Sequence, residues 1–566
     1  MKTAFLIAII IFLALFVRIV GIDYGLPFAY HDDEPIIVNY ALSYGSFDFN
    51  PHTFRMSPLI SYALFFIYGL FFSLGFFIRY FHNVSDLAYL YLSDPTIFYL
   101  IARLVFGVAC GTLSVFVIYK LARKYFNERV ALLSALFLAL NYLHVRDSHY
   151  IYFDIPLMLF SLIFFYKIYS LLNQNARRRD YIQLGLVFGI CCSIKYSGIL
   201  LGAPLFAGMA YNFIISGRAN IKRRIGDILS FLTILIITLF ILNPFALLDF
   251  RTFLRDFSSL PFIPMCANFH LKVSLLNGCG IAMLIAGLVG AVYATIFRRS
   301  KELLFIIFGI SYYFVINRSS QPAERLVLLL IPVVVLFAAY ITDVVVTRIK
   351  WAFASRATLI LLTIALVSYS SICIYYSDGL FLKKDTRTLA YEWIGENIAK
   401  ETKMALDATA SYFPRLKKSR MQLEELLDYE YNPQLARSSK AYDMKIKYLL
   451  DMPETEDKGY YLYYLKPDPR AGFFNIQPGI EIDYDRLKKN GVKYLLLSNI
   501  LLDDSYKGFV RTVEENAKLI KTFSPYKQGV EKLSPDEETT VPCGAFMLRE
   551  LKDRTSYGPV IKIYRL

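Results

Sequence analysis

Charge is what this sequence has least of. Only 19% of its 566 residues are Asp, Glu, Lys or Arg, and 56% are hydrophobic. A soluble globular protein carries about 25% charged and about 45–50% apolar residues. With a mean hydropathy of +0.44, that deficit excludes an ordinary soluble domain and leaves a polytopic membrane protein. Cysteine is sparse too: the seven at 110, 191, 192, 266, 279, 373 and 543 mostly lie in apolar segments. No CxxC or Cys/His spacing joins them, so neither a disulfide framework nor a zinc site is indicated. The chain shows no internal repeat, and its C-terminal part, 377–566, has no glycine-rich phosphate loop. Its first apolar segment lacks a small-residue cleavage site and carries Arg18, so it reads as a retained anchor and not as a signal peptide.

What is abundant agrees. There are 47 Phe and 43 Tyr, and tyrosine favours membrane interfaces. The net charge of +15 does not point to nucleic acid, because the basic residues sit in short loops between apolar runs. Spans need roughly 20 apolar residues and are expected at 3–22, 58–78, 96–120, 129–146, 151–172, 181–195, 197–216, 228–249, 277–297, 302–317, 324–347 and 356–376. Five loops are strongly basic: Lys120 to Arg129, Arg177 to Arg179, Arg218 to Arg224, Arg298 to Lys301, and Arg348 to Arg356. From the third span onward every second loop is one of these, which makes them cytoplasmic. The loops carrying Asp154, Arg251-Asp256 and Arg318-Glu324 then face outward, as does everything after the last span. One conflict stands: if 58–78 crosses, Lys120 to Arg129 would land outside. Either that segment does not fully cross or 79–103 hides another crossing, giving 11 to 13 transmembrane helices.

The expected fold class is mainly α: a transmembrane domain over 1–376 and a soluble α/β domain over 377–566, where charges become frequent. In the second domain, helices are expected at Thr386 to Lys400, Asp483 to Lys489 (ending at Asn490-Gly491) and Val510 to Lys521. Strands are expected at Met404 to Ala408, Tyr460 to Leu465, Val492 to Leu497 and Val560 to Tyr564. No catalytic motif stands out there.

The chemistry concentrates in polar residues that an apolar chain cannot spend on lipid. The loop 23–57 carries Tyr30-His31-Asp32-Asp33-Glu34-Pro35. Pro35 suits a first helical turn and Asp33 or Glu34 its cap, so simple capping is one reading of the acids. Further along stand Arg103 inside the third span, Asp154 and Lys195 near the outer face, and Arg325 at the start of another span. Singly, each fits a structural ion pair. Together, carboxylates that orient a hydroxyl and cations that meet a phosphate fit a cavity beside lipid for a lipid-linked phosphate.

The ordered series resembles a known family. Asp33-Glu34, the stretch Arg103 to Lys124 ending in Leu121-Ala122-Arg123-Lys124, Asp154, Lys195-Tyr196, Glu324-Arg325 leading to Pro332, and Asp385-Thr386-Arg387 with Trp393-Ile394 and Asn397 run along nearly the whole chain. They resemble the lipid-phosphate-dependent glycosyltransferases of the GT-C fold, in the protein O-mannosyltransferase and aminoarabinose-transferase branch. One departure is Arg55-Met56-Ser57-Pro58-Leu59, with a single proline and a shifted basic residue.

The resemblance implies sugar transfer from a polyprenyl-phosphate donor to a hydroxyl of a lipid, glycan or protein acceptor. The setting would be the external, periplasmic side of the cell inner membrane, and the transfer would invert the anomeric centre. Asp33 would be the base, and Glu34 would position it or its helix. Lys195 and Arg325 would stabilise the leaving phosphate. Asp154, Tyr196, Arg103, His31 and Arg55 would complete the substrate cavity. No cofactor is called for, and a divalent metal is left open, since relatives differ. Two rival classes remain: a transporter or flippase, which would show paired interrupted repeats, and a membrane scaffold, in which the charges would be silent to mutation.

Overall fold

The computed structural model describes residues 2–173, 176–216, 221–258, 268–297, 301–318, 323–407, 413–427, 436–452, 458–465, 479–498, 501, 504–530 and 547–566. Cys266, Cys543, Arg218, Arg298, Arg299 and Ala408 lie outside the described residues.

Apolar runs become helices because every backbone N–H and C=O must be satisfied within the segment in lipid. In chain order these are α1 (Lys2–Ile19), α2 (Glu34–Ser43), α3 (Leu59–Phe77) and α4 (Val84–Ser93). Next come α5 (Thr96–Tyr125), α6 (Glu128–Ala139), α7 (Tyr142–Asp147), α8 (Asp154–Leu172) and α9 (Arg178–Ile194). Then follow α10 (Tyr196–Ile215), α11 (Lys222–Leu242), α12 (Phe250–Ser258) and the sharply bent pair α13 (His270–Cys279) and α14 (Ile281–Phe297). The membrane part closes with α15 (Leu303–Ile316), α16 (Glu324–Arg348) and α17 (Ala352–Phe381).

Each of the twelve expected spans falls on a helix, but the expected count of 11 to 13 is too high by the criteria of length and composition. Seven described helices are long and apolar enough to cross a membrane (α3, α5, α8, α10, α11, α16 and α17), or eight if the pair bent by 108° is one span. The shortfall has local causes. α1 and α15 are apolar but short. α6 stops after 12 residues, just before Asn141 caps α7, and α9 spends its first turn on Arg178-Arg179-Asp180. Small residues allow close packing in the bundle: on α14, a Cβ at Gly290 would meet the Phe337 carbonyl of α16.

The bundle has two chemically different ends. At one end Arg129 pairs with Asp343 at 2.7 Å, Lys301 meets the Tyr169 hydroxyl at 2.7 Å, and Arg348 meets the Tyr293 hydroxyl at 2.8 Å. These come from the basic loops. At the other end stand Glu34, Arg103, Asp154, Lys195, Glu324 and Arg325. The geometry also bears on the conflict over 58–78. The Tyr68 hydroxyl, midway along α3, donates to the Phe98 carbonyl at 2.9 Å, close to Arg103. Phe81 folds back onto Phe71 and Phe72. Tyr89 on α4 meets Tyr448 of the C-terminal domain, ring to ring at 5.4 Å. From Phe81 to Tyr89 the chain reaches only about 16 Å, so α3 ends near the acidic end and does not carry the chain to the basic one.

The C-terminal domain holds a six-stranded sheet in the order β3-β2-β1-β4-β6-β5. Its strands are β1 (Lys403–Asp407), β2 (Tyr461–Leu465), β3 (Gly479–Ile480), β4 (Tyr494–Leu497), β5 (Lys518–Phe523) and β6 (Ile561–Arg565). β1 pairs in parallel with β2 and β4, and β6 runs antiparallel to β4 and β5. Helices α18 (Thr386–Asn397), α19 (Arg420–Leu427), α20 (Ala436–Asp451), α21 (Tyr484–Lys489), α22 (Lys507–Asn516) and α23 (Met547–Asp553) surround it. The helix expected to Lys521 ends at Asn516 instead: Ala517 is extended, and Lys518–Phe523 pairs with β6. Edge pairing outweighs the helical pattern there.

This domain clasps the loop before α2. The Tyr24 hydroxyl donates to Asp385 Oδ2 at 2.5 Å, and the Tyr24 ring packs on Phe381 and Tyr557. Arg387 doubly bonds Asp385 and lies 4.0 Å over the Tyr30 ring. Gly558, at φ +99°, lets its chain pass Asp385 and Thr386 where a Cβ would collide. The domain and the acidic loop therefore share one end of the molecule.

Candidate functional site

The site is built on the first turn of α2. Asp33 takes the N-cap position and Pro35 the first turn, yet Asp33 makes no side-chain capping bond. Its backbone N–H donates instead to His31 Nδ1 at 3.1 Å. The carboxylate points away from the helix and accepts from Arg325 Nη2 at 2.9 Å. The capping reading fails for Asp33, because the side chain that would cap is used elsewhere.

Glu34, the next residue, does something different. It receives Arg103 Nε at 2.8 Å and Nη2 at 2.6 Å, and the Ile151 N–H at 3.0 Å. Arg103 Nη1 meanwhile holds the carbonyls of Ile22 and Tyr24, both at 2.8 Å. Both side chains are sealed, at 0% and 1% exposure. Arg103 sits on a wide turn of α5, Arg103–Ala109, of the kind often found at functional sites. It faces the acidic loop and not an open cavity, and it holds Glu34 there with it.

The second pair lies across the site. Lys195 Nζ meets Asp154 Oδ1 at 2.8 Å and Oδ2 at 2.9 Å. Asp154 opens α8, and Lys195 sits at the break between α9 and α10, where the chain turns extended at φ −152° and ψ 137°. A residue not singled out from the sequence joins the two pairs. Tyr152 has Arg325 4.3 Å and Lys195 5.4 Å from its ring centre, and its hydroxyl is 3.4 Å from Arg325 Nη2. The result is a continuous row, Asp33–Arg325–Tyr152–Lys195–Asp154. The signal for Tyr152 was its place two residues before Asp154, which composition does not distinguish from any interfacial tyrosine.

The remaining candidates scatter. His31 is buried against Tyr150 and Tyr152, with ring centroids at 4.6 and 6.1 Å, so it lines the same row. Tyr196 turns away: its ring packs on Phe253 and Phe257 of α12 at 5.7 and 5.9 Å. Arg55 is exposed on the loop leading into α3. Arg146 was missed; it pairs with Glu324 at 2.8 Å and with Asp147 at 3.1 Å, which ties α7 to the residue just before Arg325. Arg325, Lys195 and Asp33 are 20%, 21% and 13% exposed, enough to meet a ligand from one side. Among the described residues no group of three or more His, Cys, Asp or Glu could hold a metal ion. Chemically, the row offers two carboxylates and two cations grouped around one aromatic ring.

Comparison with known proteins comes after that geometry. Residues 96–246 match the family model described as dolichyl-phosphate-mannose-protein mannosyltransferase. No curated protein sequence matches. Among solved structures, ArnT from Cupriavidus metallidurans in the apo state is similar with a TM-score of 0.51 and 14% identity, over 92% of this chain and 97% of that one. The Archaeoglobus fulgidus oligosaccharyltransferase in the apo form is similar with a TM-score of 0.50 and 12% identity, over 92% of this chain and 73% of that one. The archaeal oligosaccharyltransferase AglB from Archaeoglobus fulgidus, in complex with an inhibitory peptide and a dolichol-phosphate, gives a TM-score of 0.50 and 12% identity, over 93% of this chain and 73% of that one. The chain is a multi-pass membrane protein with the GT-C fold of these glycosyltransferases. The resemblance read from the sequence holds at the level of fold.

Proposed function

We propose that this chain is an integral membrane glycosyltransferase. It moves a sugar from a polyprenyl-phosphate donor to a hydroxyl acceptor on the external face of the cell inner membrane. The observation that carries the proposal is the row Asp33–Arg325–Tyr152–Lys195–Asp154. A similar fold solved with a dolichol-phosphate supports a lipid-phosphate donor. The family model over 96–246 supports sugar transfer.

In the proposed step, the acceptor hydroxyl attacks the anomeric carbon and its proton passes to Asp33. The bond from that carbon to the phosphate oxygen breaks, and its electron pair stays on the lipid phosphate. One displacement with one base inverts the anomeric centre. Arg325 is suited to serve base and phosphate together, because a guanidinium has five N–H donors in a rigid plane. Lys195, held by Asp154, adds a second preorganised positive charge where negative charge grows. Glu34 and Arg103 fix the helix start that aims Asp33.

The test follows release of polyprenyl phosphate from a panel of radiolabelled polyprenyl-phosphate sugars, with purified protein in lipid. Release by wild type but not by Asp33→Asn supports both the reaction class and the base. Equal release from both makes the carboxylate structural and overturns the assignment.

A further inference from the structure

Where Asn83, Asn127, Asn141, Asp385 and Asp483 cap helices of this chain, each has an extended backbone, with ψ between 121° and 179°, and its side chain accepts an N–H of the first turn. Asp33 departs from that pattern. It sits at φ −88° and ψ −24°, in the helical region, and its carboxylate makes no capping bond. The local sequence gives the reason. A capping carboxylate accepts from the second or third residue of the helix, and the second here is Pro35, which has no N–H. In a capping box the third residue accepts the N–H of the cap in turn, but Ile36 has no side-chain acceptor. His31 fills that place from outside the helix: its Nδ1 accepts the Asp33 N–H at 3.1 Å.

His31 is only 4% exposed. Its ring centre lies 4.6 Å from that of Tyr150 and 6.1 Å from that of Tyr152. The charged groups about it are Arg103, 5.7 Å from the Tyr150 ring, Arg325 and Lys195, 4.3 and 5.4 Å from the Tyr152 ring, and Asp32, Asp33 and Glu34 of its own loop. Only a ring nitrogen without a proton can accept an N–H. The bond to Asp33 therefore requires a neutral imidazole with its hydrogen on Nε2. A second proton would set Nδ1–H against the Asp33 N–H and break the bond.

We infer that His31 is the positioning residue of Asp33: as a neutral imidazole it fixes the backbone of the helix start, so that the carboxylate stands off its own helix and meets Arg325 and the acceptor hydroxyl. In place of the substrate contact expected from the resemblance, His31 acts through Asp33. The acceptor hydroxyl rests on the proposed transferase function; the hold of His31 on Asp33 does not.

The test measures release of polyprenyl phosphate from radiolabelled polyprenyl-phosphate sugars by the full chain in lipid. The variants differ in where they carry an acceptor. His31→Leu removes it, and kcat should fall about tenfold with the donor KM unchanged. His31→Asn puts an amide oxygen where Nδ1 stood, as in an Asx turn, and should recover most of that loss. His31→Gln, whose amide lies one bond farther out, should not. Wild-type kcat is expected to fall as pH drops through the imidazole range, and His31→Asn should move that fall to lower pH, where Asp33 itself gains a proton. A wild-type rate from His31→Leu overturns the inference. So does His31→Asn as slow as His31→Leu with an unchanged unfolding temperature.

A second readout needs no turnover. With histidine labelled at its ring nitrogens, the NMR signals lost in His31→Asn should report, at mildly alkaline pH, a neutral ring protonated on Nε2. A proton on Nδ1 overturns the inference. If that signature is present and wild type turns over no donor, the transferase reading fails and the hold of His31 on Asp33 stands.

Discussion

Asp33 and Glu34 are neighbours in sequence, each carries a carboxylate, and each meets an arginine, yet they belong to different kinds of site. Glu34 and Arg103 are sealed from solvent and use nearly every polar atom on one another or on the backbone. Asp33 and Arg325 meet at 2.9 Å and stay partly exposed. A buried pair is tolerated only when its geometry satisfies both partners, and it has nothing left for a ligand. A partly open pair loses less by exchanging its partner and can do chemistry. The difference teaches that adjacent acids divide the work: one fixes the helix, and the other is held out from its end.

That division can be broken at four points. The largest effect is expected from Asp33→Asn, with transfer down by about 10²–10⁴, the range of a positioned acid–base group, and an unchanged unfolding temperature. A loss of fold equal to that of Glu34→Gln would erase the contrast. Next is Arg103→Ala, which strands Glu34 and should destabilise by about 3–5 kcal/mol; a stable variant with only altered donor affinity would move Arg103 into the open site. Lys195→Ala should lower donor use by about 10²–10³, as for loss of one electrostatic donor at a transition state, and an acceptor-only defect would contradict its role. The smallest change is expected for Tyr152→Phe, which keeps the ring between the two cations and removes a hydroxyl contact of about 1 kcal/mol. Its transfer rate should fall only several-fold, and complete inactivity would make the hydroxyl part of the chemistry.

Much of the fold was legible because lipid imposes simple rules. Long apolar runs became helices, and the basic loops collected at one end. Four of the six strands were legible as short apolar or β-branched runs. β5 was not, because Lys518–Phe523 mixes charged, polar and apolar residues without a strand period and lies along β6 as an edge strand. α3 passed every test of composition for a span, yet contacts at Tyr68, Phe81 and Tyr89 return it to the acidic end. Apolarity reports where a segment is stable and not which way it points.

The site divides along the same line. The sequence by itself marked Asp33, Asp154, Lys195 and Arg325, because a charge in an apolar chain is costly wherever it falls and therefore stands out. It could not decide which charge meets which. Pairing depends on helix rotation and on where chain breaks fall, and these are set by packing among segments from 41 to 292 residues apart. Only the tertiary structure joined Asp33 to Arg325 through a separation of 292 residues. It also closed Glu34 onto Arg103, put Tyr152 between the two cations, and turned Tyr196 toward α12.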